Sequence, residues 1–425
     1  MKKICVLGLG YIGLPTASIL ATNGFRVVGV DVDPKIVDVI NKGQIHINES
    51  GLKTVVYAAV KSGNMLAKLL PEQADVFIIA VPTPINGDNT ADLTYVTHAT
   101  ESVLPFLQKG NLVILESTCP PRTTEDVLVP ILAKSGYKIG EEIFLAHCPE
   151  RVLPGNILHE FVSNDRIIGG INASSADKAK EIYEKVVQGN LLLTDATSAE
   201  MAKLMENTFR DVNIALANEV CKIAYELKLD ALEIIKLANL HPRVNLHQPG
   251  PGVGGHCLAV DPWFIVEKSS NAKLIQLSRE INNSMPHFVV GLVKKMLDQV
   301  PEPKVTVLGV TYKGNVDDIR ESPATEIIRE LRTENVELGI YDPYVKNYEF
   351  ELSNLEDAFV ASDLVLVLAD HKEYKYLSAE ELGRLMRSKR LFDARNCLNH
   401  DKWREAGFAV DVLGKNNQSG TRARS

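Results

Sequence analysis

The chain enters a short apolar run, Lys3–Leu7, and passes at once into Gly8-Leu9-Gly10-Tyr11-Ile12-Gly13 and a helical pattern from Leu14. A G-x-G-x-x-G turn between a strand and a helix admits few folds. The first glycine permits the tight turn and the second lets backbone approach a pyrophosphate. The third permits close helix–strand packing, and the helix N-terminus stabilises the anion. Glycine turns are common, so context decides. The next β-rich run, Arg26–Val30, ends at Asp31, where a carboxylate can bond a ribose 2′-hydroxyl and repels a 2′-phosphate. Gly8, Gly10, Tyr11, Ile12, Gly13 and Asp31 therefore predict a dinucleotide site that takes NAD rather than NADP. A purely structural turn with a solvated Asp31 is the alternative. Asp33 reads as the cap of a helix over Pro34–Asn41.

The alternation continues. Val76–Val81, Leu112–Leu115 and Ile143–Ala146 are β-rich runs between helical patterns, and Arg166–Ile171 and Leu191–Thr194 complete a parallel sheet in this reading. Ser198–Leu227 holds no Pro or Gly and predicts one long helix, of the kind that bridges domains or forms a dimer surface. A Pro/Gly-rich stretch from Pro242 to Gly255 follows, then a second helical region, Lys273–Gln299. Beyond Pro301-Glu302-Pro303, strands recur at Lys304–Val310, Val336–Tyr341, Leu364–Leu368, Leu391–Asp393 and Ala409–Leu413. At 425 residues the chain is too long for one core. The expectation is an α/β protein of two Rossmann-like, doubly wound parallel-sheet domains (1–195 and 301–415) joined by a central helical domain (196–300), with a disordered polar tail over 416–425.

Charge and composition narrow the partners. The net charge of -8 argues against nucleic acid or an anionic membrane. No apolar run reaches membrane-spanning length, and the glycines and Asp31 of the N-terminal region do not suit a signal peptide. Cys5, Cys119, Cys148, Cys221, Cys257 and Cys397 show no C-x-x-C pair and no His/Cys ligand spacing. That pattern fits a reducing cytoplasm and predicts no metal site and no disulfide framework.

Cys257, in Gly254-Gly255-His256-Cys257-Leu258-Ala259-Val260-Asp261, is out of place in a simple alcohol dehydrogenase. An aldehyde has no C–H beside an oxyanion from which hydride can leave. Its thiolate adduct, a thiohemiacetal, has one. A cysteine in a chain with an NAD fingerprint thus suggests a four-electron, alcohol-to-acid dehydrogenase. Cys257 falls just before a short helix over Leu258–Val266 whose N-terminus would favour the thiolate. The glycines would leave room for a nicotinamide ring and a sugar, and Asp261 lies one helical turn on. A loop cysteine alone is more often a small buried residue, and these neighbours reverse that only modestly.

Other candidates are more ambiguous. Thr83 and Thr118 follow later strands, at the edge where doubly wound sheets bind ligands, yet each reads equally as a turn or cap residue. Glu200, Lys203, Asn207 and Arg210 form one polar stripe on the long helix. Spacing alone favours a solvated face with an ordinary Glu–Lys pair. The functional alternative turns Lys203 inward to stabilise an oxyanion, with Asn207 as a neutral donor. In the second α/β region, Thr311-Tyr312-Lys313-Gly314 replaces a glycine turn. Lys313, Arg320 and Arg395 there could hold the diphosphate of a second nucleotide, unless the region is a degenerate duplicate kept for dimer stability. His241 and Arg243 lie in the loop leading to Cys257, where a polar substrate would be held.

Taken in order, Gly8–Gly13, Val81-Pro82-Thr83-Pro84, Glu116-Ser117-Thr118, Pro149-Glu150-Arg151, Glu200-x-x-Lys203-x-x-x-Asn207, Gly254-Gly255-His256-Cys257 and Lys313 with Asp318-Ile319-Arg320-Glu321-Ser322-Pro323 resemble the UDP-glucose/GDP-mannose dehydrogenase family from Met1 to about Gly414. Each motif is weak alone; the ordered set is specific. The resemblance implies that Cys257 forms the thiohemiacetal and thioester, and that Lys203, supported by Asn207, stabilises the oxyanion. It implies that Asp261 and Thr118 position the water acting as base, and that Glu150 assists thioester hydrolysis. Lys313 and Arg395 would hold the nucleotide of a UDP-sugar, and Arg320 would contact the cofactor or bridge the two sites. Gly254, Arg210, His241 and Arg243 would line the substrate, Arg243 reaching across a homodimer. Pro149-Glu150-Arg151-Val152-Leu153-Pro154-Gly155 resembles the branch acting on UDP-N-acetylhexosamines, UDP-N-acetylmannosamine foremost, with Arg151 and Val152 near the sugar and a product destined for polysaccharide biosynthesis.

Overall fold

The computed structural model describes residues 1–153 and 155–415. Pro154 and the 416–425 tail, for which disorder was expected, lie outside the described residues. The chain divides into two compact units, Met1–Glu206 with Trp263–Ser270, and Asn207–Pro262 with the chain from Asn271 onward.

The first unit is built on β1 (Lys3–Leu7), β2 (Arg26–Val30), β3 (Met65–Lys68), β4 (Val76–Ile79), β5 (Leu112–Leu115), β6 (Phe144–His147), β7 (Arg166–Gly170) and β8 (Leu191–Asp195). They lie in the order β3-β2-β1-β4-β5-β6-β7-β8. After Lys3, β1 is wholly apolar and buried, because helices cover both faces of the sheet. Ile4 and Val6 join one core cluster, and Cys5 and Leu7 the opposite one, as a two-residue repeat requires. Each buried aliphatic side chain contributes roughly 1.5–3 kcal/mol. The strand order reverses between β1 and β4, which opens a crevice at their carboxyl ends.

Two features depart from the sequence reading. β3 is an added edge strand; its four residues hold no β-branched or aromatic side chain and so give no strand signal. β7 does not continue the parallel sheet. It runs antiparallel to β6 and pairs with only its last two residues, Ala146↔Gly170 and His147↔Gly169, while β8 is parallel to β7. The segment after β6 never crosses back over the sheet, so β7 starts from the carboxyl edge and carries Arg166 beyond the end of β6.

The long helix spans Ala196–Leu227. The second helical region is two helices, Lys273–Asn283 and Met285–Leu297, with Pro286 in the first turn of the second, where its missing N–H is harmless.

The second unit holds a wholly parallel sheet of β9 (Lys304–Leu308), β10 (Glu337–Tyr341), β11 (Leu364–Val367), β12 (Arg390–Asp393) and β13 (Ala409–Val412). Its order is β10-β9-β11-β12-β13, so its crevice lies at the carboxyl ends of β9 and β11. No helix of the described residues is long and apolar enough to cross a membrane.

Candidate active site

The glycine turn is sterically obligatory at two of its three positions. Gly8 sits at φ +90°, and a Cβ on Gly13 would stand 1.8 Å from the Gly8 carbonyl oxygen. Beside Gly10 the space is open, with no atom within 4 Å of where a Cβ would be. Among the described residues no side chain caps the N-terminus of the helix Gly13–Thr22. An approachable backbone at an uncapped helix N-terminus fits a pyrophosphate. Asp31 accepts the N–H groups of Leu9 and Asp33, each at 3.0 Å, so the carboxylate after β2 is tied to the turn itself. Ile12 precedes the helix, Tyr11 is exposed, and Asp33 caps Pro34–Asn41 as expected.

Further along the same carboxyl edge, the Thr83 hydroxyl donates to the Thr118 carbonyl at 2.6 Å. That bond draws together the loops after β4 and β5. Behind them lies a buried network that sequence reasoning missed. Arg166 pairs with Glu116 at 2.8 Å and Glu150 at 3.3 Å, with its guanidinium over the rings of Tyr183 and Phe161. Tyr183 and Thr16 donate to Glu116 at 2.6 and 3.1 Å. Burial pushes the Glu116 carboxyl up, and Arg166 pulls it back. Glu150 also accepts the Arg151 N–H at 2.6 Å. Arg151 reaches Glu206 at 2.5 Å and the Asp165 carbonyl at 3.0 Å, and Val152 packs against the core.

The polar stripe does not behave as its spacing suggests. Glu200 is buried and accepts from the Arg122 N–H at 2.5 Å, the Thr124 N–H at 2.7 Å and the Thr124 hydroxyl at 2.6 Å. The ordinary Glu–Lys pair is therefore not formed. Lys203 is half-buried and makes no ion pair among the described residues.

In the second unit, Cys257 is the exposed member of the six cysteines; Cys397 is half-buried and the rest are buried. It lies in a turn whose carbonyl accepts the Asp261 N–H at 2.8 Å, ahead of a helix that spans only Asp261–Val266. Asp261 stands one turn on, as expected, and accepts from the Asn207 side chain at 2.6 Å. The room expected beside the glycines is filled. A Cβ on Gly254 would stand 2.3 Å from the Glu321 carbonyl oxygen, and one on Gly255, at φ +86°, 2.7 Å from the Tyr312 ring. These glycines let the cysteine loop lie against Tyr312 and the Arg320–Pro323 segment. Burial, Asp318 and Cys257 together push the Tyr312 hydroxyl above its ordinary range.

The basic residues of the second unit divide in two. Exposed Arg320 pairs with Asp318 at 2.6 Å. Lys313, also exposed, sits beside Gly314, whose N–H reaches Asp370 at 3.0 Å, and Arg395 approaches the same Asp370 oxygen at 3.3 Å. Burial resists ionisation of Asp370, but Arg395 and the Gly314 N–H overcome it and hold the carboxyl below its usual range. The strand order explains the meeting, since the loops after β9, β11 and β12 share one edge. Asp370 gave no signal in the sequence. Arg210, His241 and Arg243 are exposed.

Three family models cover the chain: the UDP-glucose/GDP-mannose dehydrogenase family NAD binding domain at residues 2–187, its central domain at 197–284 and its UDP binding domain at 306–400. The UDP-N-acetyl-D-mannosamine dehydrogenase of Methanocaldococcus jannaschii is 52% identical over 419 residues, covering 97% of this chain and 96% of the relative. The NDP-N-acetyl-D-galactosaminuronic acid dehydrogenase of Ralstonia solanacearum is 46% identical, covering 90% and 93%. Among solved structures, the UDP-N-acetyl-mannosamine dehydrogenase of Staphylococcus aureus superposes with a TM-score of 0.89 at 49% identity, covering 97% of this chain and 99% of that one. The chain belongs to the UDP-glucose/GDP-mannose dehydrogenase family and is an NAD-dependent nucleotide-sugar dehydrogenase.

Proposed function

We propose that this enzyme oxidises the C6 alcohol of UDP-N-acetyl-D-mannosamine to the uronic acid, consuming two NAD and one water per turnover. The observation that carries the reading is the exposed Cys257 one helical turn before Asp261, whose carboxylate Asn207 holds at 2.6 Å. The Gly8–Gly13 turn and Asp31 would hold NAD, which would supply the hydride acceptor for both oxidations. Asp261 and Thr118 orient the water that takes the alcohol proton in the first. Cys257 then adds to the aldehyde carbon, and Lys203 stabilises the oxyanion of the thiohemiacetal. Loss of hydride leaves a thioester on Cys257, which water, assisted by Glu150, cleaves to the acid and the thiol.

Lys313 and Arg395, both close to Asp370, hold the UDP diphosphate. Arg320 faces the cofactor. Arg151, Val152, Arg210, His241, Arg243 and Gly254 surround the sugar. The domain roles in this reading are 1–195 for NAD, 301–415 for UDP and 196–300 as the segment that joins them in sequence. The relatives named for N-acetylmannosamine support that sugar. A homodimer is supported by Phe209, Leu216 and Ile223, seven residues apart on the long helix and 63%, 44% and 48% exposed. Cysteines that form no disulfide fit a reducing cytoplasm. Replacing Cys257 by Ser tests the mechanism: acid formation is expected to be nearly abolished, and full turnover by the variant overturns it. Assays with UDP-N-acetylglucosamine and UDP-glucose in parallel test the sugar; equal or faster turnover of either reverses the assignment.

A further inference from the structure

One cluster of buried side chains in the first unit has no part in the chemistry above. Cys119 follows β5, His147 ends β6, and Glu200 lies near the start of the long helix. Their exposures are 1%, 0% and 1%, and the thiol sulfur, an imidazole nitrogen and a carboxylate oxygen lie within 4.8 Å of one another. His147 is the telling member, because neither ring nitrogen has a hydrogen-bond partner among the described residues. A fully buried polar group without a partner is rare, since it gives up its hydration for nothing. A buried water would satisfy the imidazole alone, whereas the Cys119 thiol and the Glu200 carboxylate, which already meet at 3.8 Å, complete a set of three ligand types around one point.

We propose that Cys119, His147 and Glu200 bind one divalent transition-metal ion, zinc by preference. Thiolate, imidazole and carboxylate are the ligand types zinc selects. Bonds of about 2.3 Å to sulfur and 2.0–2.2 Å to nitrogen and oxygen put tetrahedral ligand atoms about 3.3–3.6 Å apart, a small side-chain adjustment from the separations here. The charges also match: a dication with one thiolate, one carboxylate and a neutral imidazole sums to zero, so no net charge is buried. Binding releases the thiol proton to solvent, and that of Glu200 wherever it is protonated. The outer contacts of Glu200 are already made, by the Arg122 and Thr124 N–H groups and the Thr124 hydroxyl, as a ligating carboxylate needs.

A buried water would take the fourth position, and the ion, sealed from substrate, would pin three segments that each carry a residue assigned above to the chemistry. Thr118 adjoins Cys119, Glu150 follows His147, and Lys203 lies one turn beyond Glu200. Motif spacing predicts no zinc site because the three ligands come from separate elements, and only the strand order brings them together.

The test is metal content of the full chain purified from zinc-replete medium, followed by exchange to cobalt. About one zinc per chain is expected, with a thiolate-to-cobalt charge-transfer band and tetrahedral visible bands in the cobalt form. Cys257→Ala should keep the metal, and His147→Ala or Cys119→Ala should lose it. Zinc that stays well below one equivalent in the replete protein, a cobalt spectrum without the thiolate band, or loss of metal in Cys257→Ala overturns the proposal. The unmodified protein decides the matter even if the His147 variant fails to fold.

Discussion

Single residues differ sharply in how much local sequence says about them. Cys257 and Asp261 are separated by one helical turn, so their shared face is fixed by spacing, and the Cys257 carbonyl accepts the Asp261 N–H. Glu200 and Lys203 are as close in sequence, yet Glu200 turns into a buried pocket of loop N–H groups that no periodicity could announce. Lys203 is left without its spacing partner, which supports the role assigned to it in holding an oxyanion. Lys203→Ala is expected to lower kcat by about two to four orders of magnitude, measured by steady-state NADH production. A change confined to KM would assign it to binding. Arg166 was legible only as part of a strand, because its value comes from two carboxylates far off in the chain. Arg166→Met leaves Glu116 and Glu150 buried together and is expected to cost about 3–5 kcal/mol of stability, read by urea denaturation. A loss below 1 kcal/mol, roughly the worth of an exposed pair, would mean the network is not load-carrying.

At the scale of elements, apolar runs located nearly every strand, because strands buried on both faces need continuous apolar sequence. What they could not supply was direction. β7 reads like its neighbours, and only the path of the 148–165 segment makes it antiparallel. The loop after β12 shows how an element sets a residue proposed to bind the nucleotide. Asp393 accepts the N–H groups of Arg395, Cys397 and Leu398 at 3.0, 2.8 and 2.9 Å and pairs with His400 at 2.9 Å. Burial works against its ionisation, but His400 and these N–H groups prevail, so its pKa lies below the ordinary 3.8. A carboxyl lowered by folding stabilises the fold above its unfolded pKa and loses that contribution as pH falls through the folded value. Asp393→Asn should therefore cost about 1–3 kcal/mol at neutral pH and flatten the fall in Tm below about pH 4. Because this loop carries Arg395, the variant should also raise KM for the UDP-sugar more than KM for NAD. Thermal melts across pH and paired kinetics check both, and an unchanged KM for the UDP-sugar would detach Arg395 from the nucleotide.

Over the whole molecule, the two sheets were legible because each repeats a strand–helix alternation, and their crevices follow from where the strand order reverses. Association was less so, since a helix face shows apolar residues whether it meets a core or another chain. The exposed Phe209, Leu216 and Ile223 stripe predicts a mass of two chains in sedimentation at micromolar concentration, and Leu216→Glu should shift the equilibrium toward single chains. A wild-type protein that sediments as one chain contradicts that assembly. The central claim is the four-electron chemistry at Cys257, and the most direct measurement is the NADH yield from limiting UDP-N-acetyl-D-mannosamine with excess NAD. Two NADH per sugar nucleotide are predicted; a yield of one, with aldehyde accumulating, would contradict the account.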